Sequence, residues 1–114
     1  MNTLVDFGSA IKALKEGKRV ARIGWNDNGM FVFMRPADTC KLTQVLGFKS
    51  LPNCFKDYLE LENQPITTEN EPDVTFNAYL CMKAADGSIV NGWLASQTDI
   101  LAEDWVILTK NIEL

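Results

Sequence analysis

Two tryptophans flank a short polar segment near the C-terminus, and this arrangement has the chemistry of a nucleotide pocket. The segment begins Trp93-Leu94-Ala95-Ser96-Gln97-Thr98-Asp99 and leads to Trp105. Ser96, with Asp99 three residues later, is typical of a helix N-cap and its capping-box partner. Backbone amides at such a helix start can hold a phosphate, and Trp93 could supply a flat wall for a base or sugar. An ordinary capped surface helix is the alternative.

A third tryptophan, Trp25, lies beside Asn26. The Trp25 ring could stack on a base while the Asn26 amide reads a base or ribose edge. The alternative is structural, because tryptophan often caps a hydrophobic core and asparagine is common in turns. The residue types alone favour the structural alternative at this position.

The residues offer little for catalysis. The chain contains no histidine, which removes the commonest general base and the commonest transition-metal ligand. Asp99, Glu103 and Asp104 are carboxylates in or near one predicted helix, whereas hard-metal sites usually draw ligands from several segments. These residues make an enzyme less expected, although they leave open catalysis by carboxylates or a thiolate, and we expect no metal and no cofactor.

Charge and composition limit the kinds of partner that this protein is expected to have. Lysine and arginine number 11 against 15 aspartates and glutamates, and the net charge of −4 argues against binding to duplex nucleic acid. Cys40, Cys54 and Cys81 form no Cys-x-x-Cys pair, which suits reduced thiols in a cytosol. The first residues lack an export signal and no apolar run is long enough to span a bilayer, so no membrane contact is expected.

Hydrophobic spacing predicts an N-terminal helix over residues 6–16. Asp6 is a suitable N-cap, and Gly17 stands where a left-handed residue commonly ends a helix. The residues at i, i+3, i+4 and i+7 that share its apolar face are Phe7, Ala10, Ile11 and Leu14.

Two hairpins and a second short helix complete the predicted core. The elements are strands 18–23 and 30–34 around a turn at 26–29, strands 78–83 and 89–90 around a turn at 85–88, a helix over 96–102 and a strand over 105–108. Hairpin connections predict an α+β fold: a small, mainly antiparallel sheet with an N-terminal helix and a short C-terminal helix.

Residues 37–77 are interpreted as an insertion within a single domain of residues 1–114. Leu42, Val45 and Leu46 fit one helical turn, and Phe55, Tyr58 and Leu59 fit another. Residues 60–73 are acidic and contain two prolines, which predicts an exposed loop.

Three blocks of sequence resemble one family. They are Asp6-Phe7-Gly8-x-Ala10-Ile11-x-Ala13-Leu14-Lys15-x-Gly17, Ala21-Arg22-x-Gly24-Trp25-Asn26-x-x-Gly29-Met30 and Trp93-Leu94-Ala95-Ser96-Gln97-Thr98-Asp99-x-Leu101-Ala102-x-Asp104-Trp105. They look like the small phage and prophage domains long filed as a domain of unknown function and now named for the second type of Thoeris anti-defence protein. The resemblance covers roughly residues 6–35 and 76–108.

The resemblance implies a non-catalytic sponge. Thoeris systems use a TIR-domain enzyme to make a cyclic ADP-ribose isomer, such as glycocyclic ADP-ribose, that activates a cell-killing effector. Members of the family bind this signal without cleaving it and so block immunity. The resemblance also implies a homotetramer with pockets where subunits meet, acting in the cytoplasm of the infected bacterial host.

The candidate residues fit such a ligand. Trp25 and Trp93 would sandwich its apolar faces, and the amides of residues 96–98, helped by Arg22, would hold the pyrophosphate. Asn26, Asn91 and Gln97 would read ribose hydroxyls or the adenine edge, and either Asp99 or Asp104 would accept from a ribose hydroxyl. The expected ligand-binding residues are Arg22, Trp25, Asn26, Asn91, Trp93, Ser96, Gln97, Thr98, Asp99 and Asp104.

Three alternatives remain open at this point. The protein could bind the cyclic di- or trinucleotides of CBASS-type immunity, alone or in addition. It could hydrolyse the nucleotide with Asp99 or Asp104. It could also be a structural phage protein whose oligomer buries the tryptophans.

Overall fold

A computed structural model describes residues 3–67, 69 and 71–109, without the side chains of residues 26–28. The chain divides into two compact units, one containing residues up to 36 and from 78 onward, the other residues 37–77. In chain order the elements are α1 (Phe7–Lys15), β1 (Arg19–Arg22), a 3-10 helix (Ile23–Asn28), β2 (Phe31–Arg35), β3 (Asp38–Lys41), α2 (Leu42–Leu46), α3 (Asn53–Glu62), β4 (Asp73–Phe76), β5 (Tyr79–Lys83), β6 (Ile89–Asn91), α4 (Gln97–Leu101) and β7 (Trp105–Leu108).

The N-terminal helix forms as its sequence pattern predicts. Asp6 caps α1 by accepting a hydrogen bond from the Ser9 amide at 2.9 Å, which satisfies one of the free donors at the helix start. Gly17 follows the helix with a φ of 87°, in the left-handed region that side chains disfavour. Ala10, Ala13 and Leu14 are buried on the face that meets the sheet.

The first unit contains a five-stranded, fully antiparallel sheet in the order β6-β5-β2-β1-β7. Strand alternation places Val20, Val32 and Met82 on the side that packs with α1 and Trp105. On the other side, Ala21 and its β7 partner Val106 belong to a separate buried cluster. The predicted α+β class, an antiparallel sheet with an N-terminal helix and a short C-terminal helix, is confirmed.

The first hairpin differs from its prediction at the connection. Strands β1 and β2 pair as predicted, with Val20 opposite Val32. The prediction of a tight turn at residues 26–29 is wrong. The 3-10 helix occupies residues 23–28, and only Gly29 then takes a left-handed φ, of 62°. The coiled connection lets Trp25 turn back onto the core cluster, which a two-residue turn would not allow.

The second unit has a hydrophobic core of its own. Leu42, Val45 and Leu59 are buried in it, so both predicted helical turns are confirmed. The exposed loop begins later than predicted, because α3 continues to Glu62. Two strands that the sequence analysis did not predict, β3 and β4, pair antiparallel at the ends of this unit. The interpretation of residues 37–77 as an insertion within one domain stays a prediction.

Within the described ranges, no helix has the length and apolar character needed to cross a membrane. The longest is α3, with 10 residues.

Candidate functional site

Three tryptophans meet in one aromatic cluster beside α4. The ring centroids of Trp25 and Trp105 are 5.3 Å apart, those of Trp93 and Trp105 are 6.3 Å apart, and those of Trp25 and Trp93 are 6.2 Å apart. All three pairs meet at 77–84°, the edge-to-face geometry that aromatic rings prefer. Trp105 has no exposed surface, whereas Trp25 and Trp93 are half-buried. The cluster therefore presents two indoles to solvent above a buried third.

This geometry corrects the sandwich interpretation. A base between two indoles needs their planes parallel, with space between them for the base. The planes of Trp25 and Trp93 instead meet at 84°, with the edge of one ring against the face of the other. One chain in this arrangement cannot place the two rings on opposite faces of a single base, so each indole must contact a ligand separately.

Local backbone features position the exposed indoles. Gly92, with a φ of 78°, turns the chain out of β6, and the amide of Trp93 then donates to the Leu80 carbonyl at 2.7 Å. Trp25 comes from the 3-10 helix between β1 and β2. The connections that follow β1 and β6, two strands separated by β2 and β5 in the sheet, thus bring Trp25 and Trp93 to the same cluster.

The start of α4 carries the predicted capping box. The Ser96 hydroxyl accepts from the Asp99 amide at 3.1 Å, and the Asp99 carboxylate accepts from the Ser96 amide at 3.1 Å. Among the described residues, the amides of Gln97 and Thr98 have no hydrogen-bond partner, and both residues are exposed. These two amides are the polar groups of the helix start that remain available to a ligand.

Arg22 joins α4 to the sheet through two carboxylates. Its Nε donates to Asp104 Oδ1 at 2.9 Å and its Nη2 to Asp104 Oδ2 at 3.3 Å, while Nη1 donates to Asp99 Oδ1 at 3.0 Å. The side chains are 21% exposed for Arg22, 15% for Asp99 and 31% for Asp104. One positive charge faces two negative ones, so this cluster carries a net charge of −1.

The ion pairs shift the pKa values of Arg22 and Asp99. Hydrogen bonding to Asp104 raises the pKa of Arg22, outweighing the effect of burial, and Asp99 adds to the increase. Burial alone would raise the pKa of Asp99. Hydrogen bonds from Ser96 and the ion pair with Arg22 outweigh it and leave that pKa below the ordinary value. Arg22 and Asp99 are therefore both charged at neutral pH.

The arginine cluster predicts a measurable stability effect. Arg22→Met leaves two part-buried carboxylates facing each other without a cation, and we expect it to lower the free energy of unfolding by about 2 kcal/mol. Urea unfolding at pH 7 measures this. Lys18→Met removes an exposed ion pair with Glu16 and is the control, with an expected change within about 0.5 kcal/mol. Equal losses in the two variants would contradict the prediction.

The lowered pKa of Asp99 makes the stability of the fold depend on pH. The folded value lies below the unfolded one, so the carboxylate stabilises the fold above its ordinary pKa of 3.8, and this stabilisation is lost as pH falls through the folded value. We expect the stability difference between the wild type and Asp99→Asn to be largest near neutral pH and to shrink below pH 3.8. Urea unfolding of both proteins over this range measures it, and a difference independent of pH would rule out the linkage.

The structure places Asn91, one of the predicted site residues, away from the aromatic cluster. Asn91 accepts from the buried Cys81 thiol at 3.5 Å, and Cys81 lies on the opposite side of the sheet from Met82, which packs with Trp105. The Asn91 side chain therefore faces away from the indoles of its own chain. Asn26 belongs to the 3-10 helix, and its side chain lies outside the described part of the molecule.

Sequence reasoning missed the part that Trp105 plays in the site. Its position among Val106, Ile107 and Leu108 predicts core packing, and its burial agrees with that. Its indole Nε1 also donates to the Asp99 carbonyl at 2.9 Å, which links the aromatic cluster to α4. The available signal was the need of a buried indole N–H for an acceptor, although the sequence does not indicate which acceptor it finds.

No group of three or more histidine, cysteine, aspartate or glutamate side chains in the described residues is arranged to hold a metal ion. The chemistry of the site thus consists of indole surfaces, two helix-start amides and a paired arginine–carboxylate cluster.

Comparison with known proteins shows the family to which this chain belongs. The family model described as the Tad2-like, or Thoeris anti-defense 2-like, domain matches residues 5–108, and the chain belongs to this family. The matched range includes both compact units. Among curated proteins, the chain is similar to Thoeris anti-defense 2 of Bacillus phage SP01. The two are 37% identical over 109 residues, which cover 96% of this chain and all of that protein. The family resemblance found in the sequence is confirmed.

Proposed function

We propose that this protein is a phage anti-defence protein that binds a cyclic ADP-ribose-type nucleotide, such as glycocyclic ADP-ribose, without cleaving it and so blocks Thoeris immunity. Membership of the Thoeris anti-defense 2-like family supports the anti-defence role. The observation that carries the binding role is the pair of half-exposed indoles, Trp25 and Trp93, held next to the polar start of α4.

The indoles supply the apolar part of recognition. A purine or ribose face that lies on a tryptophan gains about 1–3 kcal/mol per stacked base. Because Trp25 and Trp93 are perpendicular, they contact different parts of a compact cyclic ligand. We assign the adenine to one indole and a ribose to the other.

Asp104 is the better candidate to accept from a ribose hydroxyl. Both carboxylate oxygens of Asp99 already accept hydrogen bonds, one from Arg22 and one from the Ser96 amide. Among the described residues, the Asp104 carboxylate also accepts through both oxygens, but only from Arg22, and it is twice as exposed as that of Asp99, at 31% against 15%. Each carboxylate oxygen has two lone pairs, so Asp104 can keep Arg22 and still accept from a ligand.

The pyrophosphate needs a cation that this cluster does not provide. Arg22 is neutralised by its two carboxylates, and the cluster retains a charge of −1. The amides of Gln97 and Thr98 can each donate to a phosphate oxygen, but they do not offset two further negative charges. We propose that a second copy of the chain completes the pocket, as in a homotetramer with ligand sites where subunits meet.

Sequestration asks less of the site than catalysis. A sponge has to bind its ligand tightly, but it does not have to stabilise a transition state more strongly than the ligand itself. A chain without histidine, with its carboxylates held in ion pairs, suits that task. We place this activity in the cytoplasm of the infected bacterium, where the signal is made.

Ligand capture followed by release tests the proposal. The protein is incubated with glycocyclic ADP-ribose, cyclic ADP-ribose and a panel of cyclic di- and trinucleotides, analysed by native mass spectrometry, and then denatured by heat. We expect a ligand-bound oligomer and chromatographic recovery of the cyclic ADP-ribose isomer intact. Recovery of a linear product would establish hydrolysis instead, and capture of cyclic oligonucleotides alone would assign the protein to another signal. No bound mass with any nucleotide would overturn the proposal.

A further inference from the structure

Trp105 is the centre of the aromatic cluster although no ligand can reach it. Its side chain has no exposed surface and is the largest of the fully buried side chains. It packs on Trp25 and Trp93 at 5.3 and 6.3 Å and on Phe7 at 5.5 Å. Both exposed indoles thus rest on the same buried ring.

One hydrogen bond of the indole N–H orients the Trp105 ring. The indole N–H is the only donor of a tryptophan side chain, and in Trp105 it donates to the Asp99 carbonyl at 2.9 Å. Asp99 is itself held firmly, since its carboxylate accepts from the Ser96 amide and from Arg22. The position of α4 is thereby transmitted to the plane of the Trp105 ring.

We propose that Trp105 is a positioning residue for the nucleotide pocket, and that its bond to Asp99 fixes the angle at which Trp25 and Trp93 meet the ligand. This inference rests on the proposed nucleotide-binding function. Edge-to-face packing couples the three rings, because a rotation of the central ring moves its edge away from one neighbour and towards the other. The backbone on the other side is also constrained, since Trp105 exchanges two hydrogen bonds with Val5, at 2.8 and 3.0 Å.

Trp105→Phe separates the positioning role from simple core filling. Phenylalanine keeps an aromatic ring in the core but has no N–H, so it loses the fixed direction and leaves the Asp99 carbonyl without its indole donor. Val45→Ala is the matched control. Val45 has no exposed surface and packs with Leu42 and Leu59 in the core of the second unit. Trp25 packs against both core clusters of the first unit but not against this one, so Val45→Ala lowers stability without changing the packing of the indoles.

Two readouts are made on both variants at a temperature where both are folded. Calorimetric titration with glycocyclic ADP-ribose measures affinity, and nuclear magnetic relaxation of the Trp25 and Trp93 indole N–H groups measures their mobility. We expect Trp105→Phe to weaken binding about threefold to tenfold and to lower the order parameters of both indoles. Val45→Ala is expected to leave both the affinity and the order parameters unchanged, even if it lowers the melting temperature by as much as Trp105→Phe does.

The outcomes are distinct. Unchanged order parameters in Trp105→Phe, or equal losses of affinity in both variants, would overturn the positioning role. If the wild-type protein does not bind the nucleotide, the proposed function fails, while the order parameters still decide whether Trp105 orients the other two rings.

Discussion

Trp93→Ala is expected to weaken binding of the cyclic ADP-ribose-type ligand by about tenfold to a hundredfold, since base stacking on an aromatic side chain contributes about 1–3 kcal/mol. Trp93 is half-buried, so its ring offers both an outer surface to a ligand and an inner edge to the cluster. Isothermal titration calorimetry measures the loss, with a melting curve to show that the variant is folded.

Leu94→Ala is the matched control for this variant. Leu94 is the next residue along the chain and 89% exposed, and it belongs to neither buried cluster of the sheet. Its replacement is expected to leave affinity within twofold of the wild type. A Trp93→Ala protein that binds as tightly as Leu94→Ala would exclude Trp93 from the ligand contacts, and the same comparison with Trp25→Ala would then show whether the other indole carries the stacking alone.

Trp105→Ala is expected to have the largest effect on stability, a loss of about 3–5 kcal/mol in the free energy of unfolding. The substitution empties the centre of the cluster and removes the contacts to Phe7, Trp25 and Trp93 together. Domains of this size are usually stable by about 5–15 kcal/mol, so the variant should unfold at a much lower urea concentration than the wild type.

Leu101→Ala provides the comparison for stability. Leu101 ends α4 and is 78% exposed, so its truncation creates no cavity and should cost less than about 0.5 kcal/mol. A Trp105→Ala variant that loses less than about 1 kcal/mol would mean that the cluster collapses readily around the missing ring. It would also remove the physical basis for assigning Trp105 a positioning role.

The regular elements of the first unit could be predicted from short-range pattern. The N-cap at Asp6, the left-handed Gly17 and the capping box of Ser96 with Asp99 all form as their spacing indicates. Each involves residues within four positions of one another, where backbone geometry and residue type decide the outcome. The connection at residues 23–28 departed from its pattern, because burial of Trp25 against the core outweighed the local preference for a tight turn.

The candidate site could be predicted only as a set of residue types. The sequence indicates Trp25, Trp93 and the start of α4, but not the perpendicular ring planes, which prevent the two indoles of one chain from sandwiching a single base. Asn91 is predicted, with Asn26 and Gln97, to read a ribose hydroxyl or the adenine edge. The alternation of strand residues places its side chain on the other side of the sheet.

By itself, the sequence determined that this chain folds as an antiparallel sheet with two short helices, belongs to the Thoeris anti-defense 2-like family and carries an aromatic segment at a helix start. Only the tertiary structure decided that Arg22 pairs with Asp104, 82 positions away, and that Trp105 bonds to α4. Spacing reports the face on which a side chain lies but not the strand that becomes its neighbour. The pairing of β1 with β7 brings these groups together, and that pairing depends on how the whole sheet packs on α1.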